Sequence, residues 1–306
     1  MSKARKLAYA ALLYNAVIWG AAFPVVKPVF EHLTPLQFLF FRYFISGILS
    51  LPILVTFYIK KHPKASNIIK PVLLELSGLA VPIYLLYEGM SKTSALEASL
   101  IGSTGPLFVI LGGIVFLRER ESKREWQGLA LSFFGSFLLM LEPFWNGHGF
   151  IGSSLVGNLL ILSHNILYAV YAIVAKKMYK KKPPLSLGSL YYLGTAGVYA
   201  LILSRQQQFP SFNLLLNHSV VLPILYMAVL GGIIANIFYL FAASRIEVSE
   251  ANLFTYLNGI FAIPAAFFLL GETPSLTTLV SISLIAYGVY RAETRKTDID
   301  HFTRKR

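Results

Sequence analysis

The sequence predicts an all-α integral membrane protein of ten transmembrane helices, arranged as two inverted repeats of five. Three observations carry this reading. The 306 residues are 56% hydrophobic and 13% charged, with a mean hydropathy of +0.62, whereas soluble domains hold about 45–50% apolar and about 25% charged residues. Apolar runs recur along the whole length, each close to the ~20 residues that cross a bilayer as helix. The second half also repeats features of the first at nearly constant spacing.

In chain order the runs cover 7–30, 35–59, 71–90, 95–117, 126–145, 152–175, 185–204, 219–242, 250–270 and 275–291. The breaks between them are polar or rich in Gly and Pro. Lys3, Arg5 and Lys6 precede the first run as they would in a signal peptide, but the run lacks a small-residue cleavage site and reads as a retained helix. Lys and Arg collect at the N-terminus, in 60–70, 118–124 and 176–182, at Arg245 and from Arg291 onward; only Lys27, Arg42, Lys92 and Arg205 lie elsewhere. The positive-inside rule then places both termini on the cytoplasmic side of a cytoplasmic (inner) membrane. The same clusters explain the net charge of +13 without nucleic acid, since no basic face or interleaved aromatic motif is present. There are no cysteines, which excludes disulfides, thiolate metal sites and cysteine nucleophiles.

Internal similarity appears at an offset of 149, pairing Trp19 with Tyr168, Asn15 with His164, Lys27 with Lys176 and Pro35-Leu36 with Pro184-Leu185. Further on the offset is 153, pairing Gly78 with Gly231, Glu97-Ala98 with Glu250-Ala251, Gly135 with Gly288, and Leu117-Arg118-Glu119 with Leu270-Gly271-Glu272. An odd number of spans per copy makes the second copy enter from the opposite side, the inverted topology that transporters use to build two states from one plan. The expected units are 7–145 and 150–292, followed by a basic cytoplasmic tail, 293–306.

These residues resemble the drug/metabolite transporter superfamily, specifically its EamA-like members with two EamA units. The stretches that carry the resemblance are Trp19-Gly20 with Lys27, Phe41-Arg42-Tyr43, Ala98-Ser99 through Gly105-Pro106-Leu107 to Arg118-Glu119-Arg120, and Ile263-Pro264 to Leu270-Gly271-Glu272. The resemblance implies a central cavity lined by helices one to four and six to nine, with solute export as the commonest activity. One departure is that Tyr191 stands where the first copy has Arg42.

Ionisable groups at membrane depth are functional candidates because burying them is costly. Glu75, Glu88, Glu97, Glu142, Glu247 and Glu250 all fall within about three turns of a helix end, so no carboxylate occupies the midplane. His164, with Asn165 beside it, is left near the middle; an unperturbed imidazole titrates near neutral pH, and the alternative is a neutral interhelical hydrogen bond. Asn15, Ser103, Thr104, Asn236 and Asn258 lie at similar depth and are either cavity groups or interhelical glue. Of the aromatics, Trp19, Tyr84, Tyr87, Tyr168, Tyr171, Tyr239 and Tyr256 fall on helices expected to line the cavity, and Trp19 and Tyr168 each stand one turn from the polar pair Asn15 and His164.

Lys27, Arg42 and Glu88 form an outer vestibule charge set, in which Arg42 either pairs with Glu31 or Glu88 or attracts a solute carboxylate or phosphate. Glu119 and Glu272 read as capping or tethering groups. Pro106 and Pro264, with Gly102, Gly105 and Gly259, are expected to interrupt helices four and nine.

No His-Glu-x-x-His pair, phosphate loop or Gly-x-Ser-x-Gly elbow occurs, so no catalytic residue, cofactor or metal is expected. The expected function is a secondary transporter exporting amino acids or related solutes by alternating access, with a small-molecule solute and membrane lipids as partners, as a monomer or homodimer. An importer or uniporter is the alternative within transport. A lipid-modifying membrane enzyme would need clustered acid and base groups, and His32, His62, His148 and His218 are scattered over different loops.

Overall fold

The structure is a computed structural model that describes residues 3–61, 66–102, 104–117, 123–145, 153–178, 188–243, 245, 254 and 257–293. Every regular element among them is helical. The chain runs through α1 (Lys3–Val26), α2 (Pro35–Lys61), α3 (Ser66–Ser91), α4 (Ala95–Gly102), α5 (Gly105–Leu117), α6 (Lys123–Trp145), α7 (Ser153–Met178), α8 (Gly188–Arg205), α9 (His218–Leu225), α10 (Ala235–Ala243), α11 (Leu257–Leu270) and α12 (Leu276–Glu293). Five stretches are long and apolar enough to cross a bilayer: Arg5–Glu31, Pro35–Thr56, Ile68–Ser91, Leu155–Ala175 and His218–Tyr239. Leu257–Leu270 and Leu276–Gly288 are shorter apolar helices.

The outer surface has the composition lipid demands. Phe268, Leu201, Val115 and Leu73 are exposed on α11, α8, α5 and α3, where a water-soluble bundle would place polar groups. Their backbone amides are satisfied within each helix, the condition for contact with hydrocarbon.

Packing follows an exchange pattern. α1 packs on α11 and on the α9–α10 run, while α7 packs on α4 and α5 and on α3; α2 pairs with α8, and α6 with α12. Swapping the two halves therefore maps each contact onto another or onto itself. Small residues permit the closest approaches. A Cβ at Gly89 would lie 2.6 Å from the Gly157 carbonyl oxygen, and one at Gly157 would lie 2.7 Å from that of Gly89, so α3 and α7 touch backbone to backbone. Between α6 and α12 the repeat mates Gly135 and Gly288 each meet a backbone carbonyl of the opposite helix, those of Ser281 and Gly128. The largest buried side chains, including Phe38, Phe41, Leu39, Met90, Ile101 and Leu203, gather where α2 begins and α3 and α8 end.

Two irregularities shape the interior. The fourth expected span breaks between α4 and α5, as Gly102 and Gly105 suggest. The ninth does not: Gly259 and Pro264 lie within the continuous helix Leu257–Leu270, which corrects the expected interruption. Proline there forfeits one hydrogen bond, a loss that membrane helices tolerate when neighbours re-satisfy the carbonyl. The second irregularity was not expected. Between α9 and α10, residues Tyr226–Ile234 form a π-helix, whose wider turn redirects carbonyls toward neighbouring helices. The expected tail beyond residue 293, with Ser103, Glu119, Lys177 of the cytoplasmic cluster and Tyr256, lies outside the described residues or their described surroundings.

Candidate functional site

The π-helix is where four helices meet through hydrogen bonds. From α1, Trp19 Nε1 donates to the Gly231 carbonyl at 3.0 Å and Asn15 Nδ2 to that of Ala235 at 2.6 Å. From α2, Ser46 donates to Ala228 at 3.1 Å; from α8, the Tyr192 hydroxyl donates to Gly232 at 3.1 Å. Asn236 turns its amide back onto the Gly232 carbonyl and toward the Tyr192 hydroxyl. Tyr226 closes the ring by donating to Ile18 at 2.5 Å. Side chains from neighbouring helices thus engage the carbonyls that the π geometry presents, each worth about 0.6–2 kcal/mol in a bilayer.

The mirrored location is built on α7. His164 Nδ1 donates to the Pro82 carbonyl of α3 at 2.8 Å, which places a proton on Nδ1, because a carbonyl can only accept. His164 corresponds to Asn15, and Pro82 to Ala235 at the second offset, so the two contacts are the same contact made once in each half. Next to it, Asn165 donates to the Ile101 carbonyl at 2.8 Å and to the Thr104 hydroxyl at 3.2 Å, filling the break between α4 and α5. His164 stacks on Tyr168 with ring centres 5.8 Å apart. Tyr168 is 38% exposed and within electrostatic range of Tyr239 on α10 and Glu75 on α3. Tyr171 donates to Glu75 at 2.7 Å on the same side. Asn258, opposite Gly20, keeps a buried side-chain oxygen with no donor among the described residues.

A cavity of about 930 Å³ opens between the start of α2, the last turns of α3 and the end of α8, and its lining includes Tyr84, Glu88, Glu31, Gln37 and Tyr199. Glu88 pairs with Lys92 at 3.0 Å and not with Arg42. Arg42 instead donates to the Tyr87 hydroxyl at 2.6 Å and lies 5.2 and 5.3 Å from the ring centres of Tyr43 and Tyr87. Among the described residues it makes no ion pair, so the expected pairing with Glu31 or Glu88 is not formed.

Lys27 anchors a third cluster. Its ammonium donates to the carbonyls of Met90 at 2.8 Å, Ser91 at 3.3 Å and Thr93, a cation seated at the negative C-terminal end of α3. The positive N-terminal end of α4 follows immediately, and two carboxylates meet it. Glu272 accepts from the amides of Ala95 and Leu96, both at 2.9 Å. Ser94 and Glu97 close a capping box, with Glu97 N donating to Ser94 Oγ at 3.1 Å and Ser94 N to Glu97 at 3.5 Å. The first four amides of α4 are therefore all engaged. Glu272 is the cap its sequence position suggested.

Of the residues singled out by sequence, Asn15, Trp19 and Asn236 converge on the π-helix, His164 and Tyr168 stand at its mirror, Thr104 plugs the broken helix, and Tyr84 and Glu88 line the cavity at the end of α3. Ser46, Tyr192 and Tyr226 were missed. The Gly231-Gly232 doublet, with Pro223 two turns earlier, is the signal for the backbone irregularity they serve. Among the described residues no group of three or more His, Asp or Glu could hold a metal.

A helical membrane bundle whose halves exchange contacts about a central backbone irregularity defines the class of membrane transporters built from repeats. Comparison with known proteins specifies it: the profile of the EamA-like transporter family matches twice, at residues 6–141 and 155–292, and the chain belongs to that family. It is 24% identical to an uncharacterized transporter of Archaeoglobus fulgidus, over 91% of this chain and 94% of that one. It is 26% identical to the uncharacterized inner membrane transporter YedA of Escherichia coli, over 92% and 89%. It is 24% identical to a probable terminal-alkyne amino-acid exporter of Streptantibioticus cattleyicolor, over 91% of each. A solved crystal structure superposes with a TM-score of 0.67 over 96% of this chain and 97% of its own, at 17% identity, a likeness of fold.

Proposed function

We propose that the chain spans a cytoplasmic membrane ten times, as inverted repeats 7–145 and 150–292 with both termini inside, and exports amino acids or related small solutes by alternating access. The observation that carries this is the duplicated contact, Asn15 to Ala235 and His164 to Pro82, which ties equivalent helices in each half and lets one half rock against the other. The resemblance to a probable amino-acid exporter supports the solute class, and the absence of a phosphate loop in the sequence leaves a gradient as the energy source. Tyr168, Tyr239 and Asn258 would face the solute, with Trp19 held to the π-helix behind them. Import of the same solutes is the second reading; the open outer cavity favours it as much as export.

Flux into proteoliposomes, screened against amino acids with and without a pH gradient, is the test. Wild type should move at least one solute, and Tyr168→Ala should weaken its apparent affinity by about 1 kcal/mol, roughly fivefold, through the lost aromatic contact. Unchanged affinity in that variant would remove Tyr168 from the path, and no flux of any solute would remove the transport reading. Orientation is tested separately in a background already free of thiols. Ser66→Cys should resist an impermeant thiol reagent applied to intact cells and Asn146→Cys should react; the reverse pattern would invert the topology.

A further inference from the structure

Resting on the transport function proposed above, we infer that Arg42 and the tyrosines around it form the docking site for the carboxylate of the transported solute. A guanidinium at membrane depth is costly to bury and is ordinarily matched by a carboxylate. Here Glu88, a carboxylate the sequence offered, pairs with Lys92 at 3.0 Å. What surrounds Arg42 is aromatic: Tyr43 and Tyr87 lie beneath the charge, and Tyr191 and Tyr192 are within electrostatic range. Ring faces stabilise the cation without accepting its N–H fork. Among the described residues only the Tyr87 hydroxyl takes a hydrogen bond from it. The remaining donors suit two parallel bonds to a carboxylate, the geometry guanidinium matches best.

Position strengthens the assignment. Position 42 corresponds to 191, and 43 to 192, at the repeat offset. These mates meet where α2 packs on α8: the Tyr43 and Tyr191 hydroxyls are 3.1 Å apart, and the rings of Tyr43 and Tyr192 are 5.9 Å apart. Contact between equivalent positions places the cage beside the axis that exchanges the two halves, where a rocking transporter holds its solute. Access comes from the outer cavity. Pro35 lines it, and Arg42 stands two turns further along the same face of α2, about 10 Å deeper. Tyr84 lines it one turn from Tyr87, and Tyr199 lines it while packing on Tyr43 with ring centres 6.0 Å apart.

A single cation selects a single negative charge. Lys27 is spent on the carbonyls at the end of α3 and Lys92, which lines the cavity, on Glu88, so a monoanionic carboxylate fits and a phosphate dianion would be left half-neutralised. Because Tyr191 replaces arginine in the second half, the site is single where the fold is duplicated.

The test is thermal stabilisation of the purified full chain by L-leucine and L-phenylalanine, each against its C-terminal amide, with inorganic phosphate as a third probe. At least one acid should act at concentrations tenfold or more below its amide. Arg42→Lys, which keeps the charge and loses the fork, should narrow that preference, and Arg42→Gln should erase it. The assignment is overturned if neither acid is preferred to its amide, if Arg42→Gln keeps the preference, or if phosphate stabilises wild type where neither acid does. Should Arg42→Gln not fold, the wild-type comparison and Arg42→Lys decide alone. Flux in proteoliposomes that is indifferent to Arg42 would sink the docking site and leave transport standing; an Arg42-dependent acid preference without flux would do the reverse.

Discussion

Gly157→Ala is expected to destabilise the purified protein by about 3 kcal/mol, while Gly197→Ala leaves it unchanged or up to about 1 kcal/mol more stable. Both are helix glycines gaining one methyl group. At Gly157 the new carbon would lie 2.7 Å from the Gly89 carbonyl oxygen, 2.9 Å from the Lys92 carbonyl carbon and 3.0 Å from Thr93 Cβ. Those atoms belong to the backbone of α3 and the α3–α4 link, or stand next to it, so α7 itself must move away. At Gly197 nothing lies within 4 Å, and the methyl group gains helix propensity at no steric cost. Tryptophan-fluorescence thermal unfolding of the two variants in detergent measures the contrast. Equal melting temperatures would mean that α3 and α7 are not in backbone contact.

Glu272→Ala should cost about 2–4 kcal/mol, because it strips a charged acceptor from two amides at the start of α4 that have no other partner among the described residues. Glu272→Gln, which retains one carbonyl oxygen, should recover part of the loss. Lys27→Met acts on the same link from its other side, leaving three carbonyls at the end of α3 without their donor. Lys27 also lies in the field of Glu272 and Glu97, so the two sites are coupled. The double variant should therefore cost less than the two single losses added together, by about 0.5 kcal/mol or more. Strict additivity in denaturation curves would show that the cation and the carboxylate act independently.

Much of the fold was legible because lipid writes its demands into composition. The all-helical apolar architecture and the two family matches at 6–141 and 155–292 follow from apolar run length and from Gly and Glu recurring at fixed offsets. Glu272 was readable as a cap because it follows directly on an apolar run and repeats Glu119. The π-helix was not readable from hydropathy, since Tyr226–Ile234 is as apolar as its flanks and a one-residue change in hydrogen-bond register leaves no mark there; only the Gly231-Gly232 doublet and Pro223 point to it. For the same reason Trp19 and Asn15 could be placed on one face of α1, but not assigned to backbone carbonyls of a helix more than 200 residues away. Arg42 was ambiguous because charge alone does not choose between Glu88 and a solute. The structure takes Glu88 out of that choice by pairing it with Lys92. Pro264 misled in the other direction, since proline marks a lost donor and not a broken helix.

The exchange pattern of helix contacts bears on how the chain is made. Its most extensive pairings, α6 with α12, α2 with α8, α3 with α7 and α1 with α11, all join the first half to the second. While the ribosome is still working through the second half, the earlier helices sit in the membrane without their main neighbours. The first turn of α4 waits too, since among the described residues its Ala95 and Leu96 amides are met only by Glu272, added nearly 180 residues later. The amino-terminal half produced alone should therefore stay protease-sensitive in the membrane, and become resistant when the carboxy-terminal half is supplied as a separate chain.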